Sequence, residues 1–182
     1  MLAYRAGDAA AFDALYARHR GGLFRYLRRH TGNAAVADEL FQDVWMRLID
    51  ARGRYEPQAK FTTWLYTIAH NRLMDHFRAA SRVQLASYDD PADDPLDEVP
   101  ANDPQPQDQL ERKQTAARLL AALDALPTAQ REAFVLQQEG ELSVEEIATV
   151  TGVTRETAKS RLRYALAKLR ASLRAPAEQE PQ

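Results

Sequence analysis

Trp64, Thr67, Asn71 and Arg78 are spaced to share one face of a helix, turned away from Leu65, Leu73 and Phe77. An indole, an amide and a guanidinium grouped in this way stack on bases, bond their edges and contact phosphate. A second stretch, Arg155 to Arg174, holds seven basic residues against the single acid Glu156. Within it Ala158, Leu162, Ala165, Leu166, Leu169 and Leu173 form an apolar stripe, and Lys159, Ser160, Arg163 and Tyr164 point elsewhere, toward solvent or DNA. Cations there bind phosphate, and residues near the helix start, Arg155 and Thr157, are placed for base edges. The remaining tempting cluster, His70, Asp75 and His76, has offsets of five and six residues that scatter it around a helix. Metal ligation prefers offsets of three or four. The chain has no cysteine, no glycine loop for phosphate and no nucleophile elbow. The expectation is therefore a binding protein and not an enzyme, with no metal, no cofactor and no small-molecule substrate.

The elements that must carry these residues are all helical. Ser143-Val144-Glu145-Glu146 is a capping box, Ile147 and Ala148 supply buried contacts, and Gly152 stands where a tight turn needs positive φ. Val153 plugs the angle between two helices and Thr154 caps the second, which makes a helix-turn-helix. Before it, a helix from about Gln109 to Ala125 stops at Leu126-Pro127, and Thr128 caps another that ends near Glu139 with Gly140 as its stop. Toward the N-terminus, Phe12, Leu15, Tyr16, Leu23, Tyr26 and Leu27 recur at helical spacing up to Gly32-Asn33. A helix from about Ala35 to Ala51 buries Val36, Leu40, Val44 and Leu48; one from Phe61 to Ala80 buries Leu65, Ala69, Leu73 and Phe77. Arg52 to Lys60, with Gly53 and Pro57, is a loop.

Charge divides the chain. The net charge is −2 over 182 residues, yet residues 83–111 carry nine acids and no base. The flanking parts are each net positive, so a pI near 6.1 understates the basic surface available to nucleic acid. Five prolines between Ser87 and Gln109 make that stretch a flexible linker. The expected architecture is all-α, with two small helical domains, 1–82 and 112–175, joined by an acidic Pro-rich linker and followed by a disordered tail at 176–182. No apolar run suits a membrane span and no leader is visible, so a cytoplasmic location without membrane insertion is expected. Electrostatics predict that the acidic strap and the basic helix fold the free chain on itself.

The string ELSVEEIATVTGVTRETAKSRLRYALAKLR, residues 141–170, resembles the promoter-reading C-terminal domain of extracytoplasmic-function (ECF) sigma factors of the sigma-70 family. LDALPTAQREAFVLQQEGELS resembles that domain's first two helices. GDAAAFDALYARH, ADELFQDVWMRLID and FTTWLYTIAHNRLMDHFR stand in the order of the family's N-terminal domain. The resemblance covers about residues 7–80 and 110–173.

It implies a factor that binds core RNA polymerase and directs promoter-specific initiation, as an alternative stress-response or signal-responsive factor. The helix matching Asp38 to Ala51 binds, in the family, the clamp helices of the polymerase largest subunit. That points to Asp38, Glu39, Gln42, Asp43, Met46 and Ile49, opposite the buried stripe. Here Glu39-x-x-Gln42-Asp43 replaces the usual Asp-x-x-Gln-Glu, so both charges survive with altered reach. The third helix and its preceding loop open the minus-ten element and hold a flipped base, which points to Lys60, Phe61, Trp64, Thr67, Asn71 and Arg78. For the minus-thirty-five element the resemblance points to Arg155, Thr157, Lys159, Ser160, Arg163 and Tyr164. Thr151 stands at a usually apolar position and Ala158 replaces a usual valine, with some loss of packing expected. Core polymerase, promoter DNA and an anti-sigma protein are the implied partners. The alternative is a helix-turn-helix regulator that binds DNA independently of polymerase. That role needs a ligand, phosphorylation or dimerisation domain in residues 1–80, where the clamp-like helix and the aromatic face stand instead.

Overall fold

The computed structural model describes residues 1–84 and 106–174; most of the acidic linker and the C-terminal tail lie outside the described residues. Helices α1 (Leu2–Arg5), α2 (Ala9–Thr31), α3 (Ala34–Asp50) and α4 (Phe61–Gln84) form the N-terminal body, with a 3₁₀ turn at Arg52–Arg54. Helices α5 (Pro106–Asp124), α6 (Thr128–Gly140), α7 (Val144–Thr151) and α8 (Arg155–Arg174) form the C-terminal one.

Helix ends follow local chemistry. Asp8 accepts the Ala10 and Ala11 amides at the start of α2. Gly32 closes that helix at φ 67°, and Asn33 at once caps α3 through the Val36 amide. The Ser143–Glu146 capping box is complete, Gly152 lies at φ 65°, and the Thr154 hydroxyl accepts the Thr157 amide. The hydroxyl of Thr151 donates to the Ile147 carbonyl at 2.8 Å, so the departure at that position leaves no unpaired polar group.

Five local expectations need correction. The four-residue α1 was not foreseen. Pro106 opens α5 three residues early, inside the expected linker, because its missing amide is not needed in a first helical turn. Pro127, not Thr128, is the N-cap of α6 and gives it no side-chain bond. Gly140 does not stop α6; it is the last helical residue, and Glu141 takes the left-handed geometry at φ 52°. Leu173, placed in the apolar stripe of the helix-turn-helix's second helix, is exposed at the end of that helix.

Gly140 serves close approach instead: a Cβ there would meet the Tyr66 ring at 2.9 Å. Gly22 in α2 is similar, since its Cβ would lie 2.7 Å from the Glu139 carbonyl. These contacts belong to a seam between the bodies. One hydrophobic core runs through it, from Leu23, Leu27, Leu40 and Leu73 to Leu136, Leu142, Ile147 and Leu162. A smaller cluster of Leu123, Leu126, Ala165 and Leu169 joins α5 to α8. The bodies meet through α2 with α6 and through α4 with α6 and α7. The basic helix α8 packs on α5, α6 and α7, while the acidic strap expected to meet it lies outside the described residues.

Candidate nucleic-acid interface

The loop after α3 folds over the first turns of α4 and makes a cleft of about 500 Å³. Its lining includes Arg54, Tyr55, Glu56, Thr63, Trp64 and Thr67. The buried Tyr55 ring stands edge-on to Trp64 at 4.8 Å, and the Phe61 ring lies tilted 6.1 Å from the indole. Trp64 is thus half-buried, between a core aromatic and an open stacking platform. Thr67 donates its hydroxyl to the Thr63 carbonyl. Asn71, exposed two turns on, and Arg78, exposed and paired with Asp75 at 2.9 Å, share the helix but do not line the cleft. At 1.5 Å per residue Arg78 lies about 21 Å along the axis from Trp64.

Lys60 is exposed but already has a partner in the other body. Its ammonium pairs with Glu146 of α7 at 3.1 Å, and Thr63 donates to the same carboxylate at 3.2 Å. Burial opposes the charge on Glu146, but the Ser143 amide, Lys60 and Thr63 hold its carboxyl below the usual range. Thr149 of α7 also lines the cleft, so the C-terminal body sits at the edge of the α4 face.

The seam has a polar centre that sequence reasoning missed. Glu132 of α6 is buried and accepts from the Tyr26 hydroxyl at 2.9 Å and from His70 Nδ1 at 2.7 Å. Burial alone would raise its carboxyl, yet these two donors and the neighbouring imidazoles hold it low. The Tyr26 phenol is pushed well up by burial and by the carboxylate. Around this centre Arg25 pairs with Glu139 at 2.7 Å, Tyr66 donates to the Glu139 carbonyl and Arg131 donates to the Arg29 carbonyl at 3.2 Å. His70 therefore has a carboxylate partner from the other body, a pairing its isolated place on α4 did not signal. An acid among the inward residues Ala133, Val135 and Leu136 was the available clue.

On the outer side of α3, Asp38, Glu39, Gln42 and Met46 are exposed, and Asp43 and Ile49 are half-buried. Met46 keeps 57% of its surface, while its neighbour Trp45 is buried among Phe12, Tyr16 and Phe41. Arg72 of α4 pins Asp43 at 2.6 Å and reaches Glu39 at 3.9 Å, so one guanidinium faces both carboxylates of this helix.

On α8, Lys159, Arg163 and Tyr164 are exposed, and Thr157 and Ser160 are half-buried. The Arg163 guanidinium lies 5.0 Å over the Tyr164 ring, so the pair presents one cationic, aromatic surface. Arg155 is bound to Glu145 and Glu156, which braces α8 against α7 and offsets its charge locally. Among the described residues no group of His, Cys, Asp and Glu is arranged to hold a metal ion, and no helix is long and apolar enough to cross a membrane.

Two family models match, sigma-70 region 2 over residues 15–83 and sigma-70 region 4 over residues 116–169. The chain is 36% identical over 172 residues to the RNA polymerase sigma factor CarQ of Myxococcus xanthus, covering 93% of each. It is 35% identical to the ECF RNA polymerase sigma factor SigE of Mycolicibacterium smegmatis, covering 90% of this chain but 63% of that protein. Among solved structures it is similar to CnrH in complex with the cytosolic domain of CnrY, at TM-score 0.62 and 27% identity over 93% of this chain and 91% of that one. The sigma factor RpoE in complex with the anti-sigma factor NepR from Bartonella quintana shares the fold at TM-score 0.69 and 24% identity, over 93% and 99% of the two chains.

Proposed function

The chain belongs to the ECF sigma factors of the sigma-70 family, factors that carry core RNA polymerase to promoters, and from that premise we propose how its own residues divide the work. The outer face of α3, with Asp38, Glu39, Gln42, Asp43, Met46 and Ile49, docks on the clamp helices of the polymerase largest subunit. Carboxylates around an exposed methionine form a polar rim about an apolar centre, as protein interfaces do. The cleft beside Trp64 takes one flipped base of the opened minus-ten element. Lys60, Phe61 and Thr67 bound that end of α4, and Asn71 and Arg78 follow the strand beyond it. Arg155, Thr157, Lys159, Ser160, Arg163 and Tyr164 of α8 meet the minus-thirty-five element. The observation that carries this reading is the cleft itself: a half-buried indole backed edge-on by Tyr55, with threonine hydroxyls and charged side chains in its lining and room for a single base.

The described arrangement is then the form held away from the promoter. Elements about 25 base pairs apart are separated by about 85 Å of duplex at 3.4 Å per pair. One continuous core joining α2 and α4 to α6 and α7 cannot span that distance, so the seam opens when polymerase takes up the chain. A protein partner that stabilises the closed form would silence the factor, and the similar protein CnrH was solved in complex with a protein, the cytosolic domain of CnrY.

The test is reconstitution from sigma-free core polymerase, this chain and promoter DNA. Promoter-specific RNA should depend on the chain; DNA binding indifferent to core would point to a free-standing regulator. For the upstream grip, Lys159→Ala and Arg163→Ala should each reduce the slope of log affinity against log salt by about one. A slope equal to that of the unaltered chain would show that neither cation touches phosphate.

A further inference from the structure

The cleft that reads the base is held in place from outside the region the family model matches, which begins at residue 15. Helix α1 turns back through Gly7, at φ 104°, so that its last turn lies against the loop following α3. Arg5 Nη1 donates to the Tyr55 carbonyl at 2.7 Å, across 50 residues of sequence. Tyr4 is buried, its ring 5.1 Å from Phe12, and the Arg52 guanidinium lies 5.1 Å over that ring. Both ends of the 3₁₀ turn are therefore tied to α1, Arg52 through the Tyr4 ring and Tyr55 through the Arg5 guanidinium.

Tyr55 is the joint of this arrangement. Its amide closes the turn on the Arg52 carbonyl at 3.3 Å, its carbonyl is taken by Arg5, and its ring forms a wall of the cleft against Trp64. The residues that follow, Glu56 to Lys60, are exposed. At Tyr55 itself, the packing of its ring on Trp64 and the Arg5 bond to its carbonyl hold the loop over α4, between the Arg52–Tyr4 contact on one side and the Lys60–Glu146 pair on the other. A guanidinium bonded to a carbonyl is a charge-assisted bond, stronger than the neutral one that water would offer the same oxygen.

We infer that Arg5 is a positioning residue for promoter melting: by fixing the Tyr55 carbonyl it sets the width of the base-reading cleft beside Trp64. The inference rests on the reading of that cleft as the base site. Arg5 touches no nucleic acid in this role. It acts through Tyr55, and its loss leaves the α3 face and the α8 helix untouched.

The experiment uses the full chain with core polymerase and single-stranded minus-ten oligonucleotides carrying each of the four bases at the flipped position. The unaltered chain discriminates among them. Arg5→Ala should reduce that discrimination about tenfold, the worth of one charge-assisted bond. Arg5→Lys, which keeps a cationic donor, should restore most of it. Core binding and affinity for minus-thirty-five duplex should stay equal in all three proteins. Unchanged discrimination in Arg5→Ala overturns the proposal, and so does an equal fall in core binding, which would mark a general loss of fold. If the unaltered chain itself shows no preference among the bases, the base-site reading fails first, and that result differs from either of the others.

Discussion

Glu132→Ala should part the two bodies, with a fall of about 10 °C in the thermal midpoint and a larger radius of gyration in solution scattering. The residue is 6% exposed and its side chain receives two hydrogen bonds from the opposite body. Removing one partner of a buried charged group costs about 3–5 kcal/mol, because the others are left unpaired in a dry place. Here those are Tyr26 and His70, both facing a seam that water would have to enter. Glu132→Gln should cost far less, since both donors meet the same oxygen, Oε1, and an amide oxygen there still accepts from the Tyr26 hydroxyl and from His70 Nδ1. Gly22→Val attacks the same seam without changing any charge, through a Cβ that would stand 2.7 Å from the Glu139 carbonyl. If the closed form masks the cleft, Glu132→Ala and Gly22→Val should both bind a single-stranded minus-ten oligonucleotide more tightly. Scattering profiles of Glu132→Ala that overlay the unaltered chain would remove Glu132 from the latch.

The same groups give the seam a pH dependence with a defined sign. Burial lowers the His30 imidazole below its ordinary 6.5, and the Tyr26 carbonyl bonded to Nδ1 recovers only part of this. That carbonyl fixes the proton on Nδ1, and Nε2 is buried without an acceptor among the described residues, so a second proton finds no partner there. His19, lowered by burial and by Arg18, acts in the same window. As pH falls through 6.5 the unfolded chain takes up protons that the folded chain refuses, and stability drops. Each such group contributes up to about 1.4 kcal/mol per pH unit. A second loss begins below 4.5, where the unfolded chain protonates Glu132 while the folded one keeps it ionised until lower pH. Urea midpoints measured from pH 7.5 to 4 should therefore decline in two stages. The second stage should be weaker in Glu132→Gln.

Why the helices were readable and the seam was not has a physical explanation. Caps and turns are local: Gly32-Asn33, Ser143 with Glu146, and Gly152 each satisfy amides or geometry within four residues. Apolar stripes at helical spacing likewise report which face is inward, as Leu40, Val44 and Leu48 confirm. A stripe does not report what covers it. The seam is made of residues that each look ordinary in their own helix: Gly22, His70, Glu132 and Gly140. Glycine commonly ends helices, so Gly140 signals a stop in the sequence, whereas here its lack of a side chain admits the Tyr66 ring. The candidate site divides in the same way. Trp64 and Thr67 share one cleft because the loop reaches only the first turns of α4, and no periodicity states how far a loop extends. Helix α1 was missed because a single turn has no period to detect.

Met46→Asp should weaken core-polymerase binding by at least about thirtyfold while leaving the fold intact. The two halves of that expectation have separate grounds. Met46 keeps 57% of its surface, and its neighbours on the outer face of α3, Glu39 and Gln42, are exposed as well. A substitution at such a site shifts stability by about 0.5 kcal/mol, so the thermal midpoint should move by only a degree or two. On the proposed interface, however, Met46 is the apolar centre that docking would desolvate, and central residues carry most of the binding energy. An aspartate there would be buried beside Asp43 and Glu39, adding like-charge repulsion to the lost contact. Arg72 sharpens the prediction, because it already holds Asp43 at 2.6 Å and has Glu39 at 3.9 Å. Its positive charge is engaged by those two and is not available to neutralise a third acid. Met46→Leu, which keeps an apolar side chain of similar volume, should bind nearly as well as the unaltered chain. Competition for fluorescently labelled core polymerase measures all three proteins on one scale. Equal affinity of Met46→Asp and the unaltered chain would move the docking surface off α3.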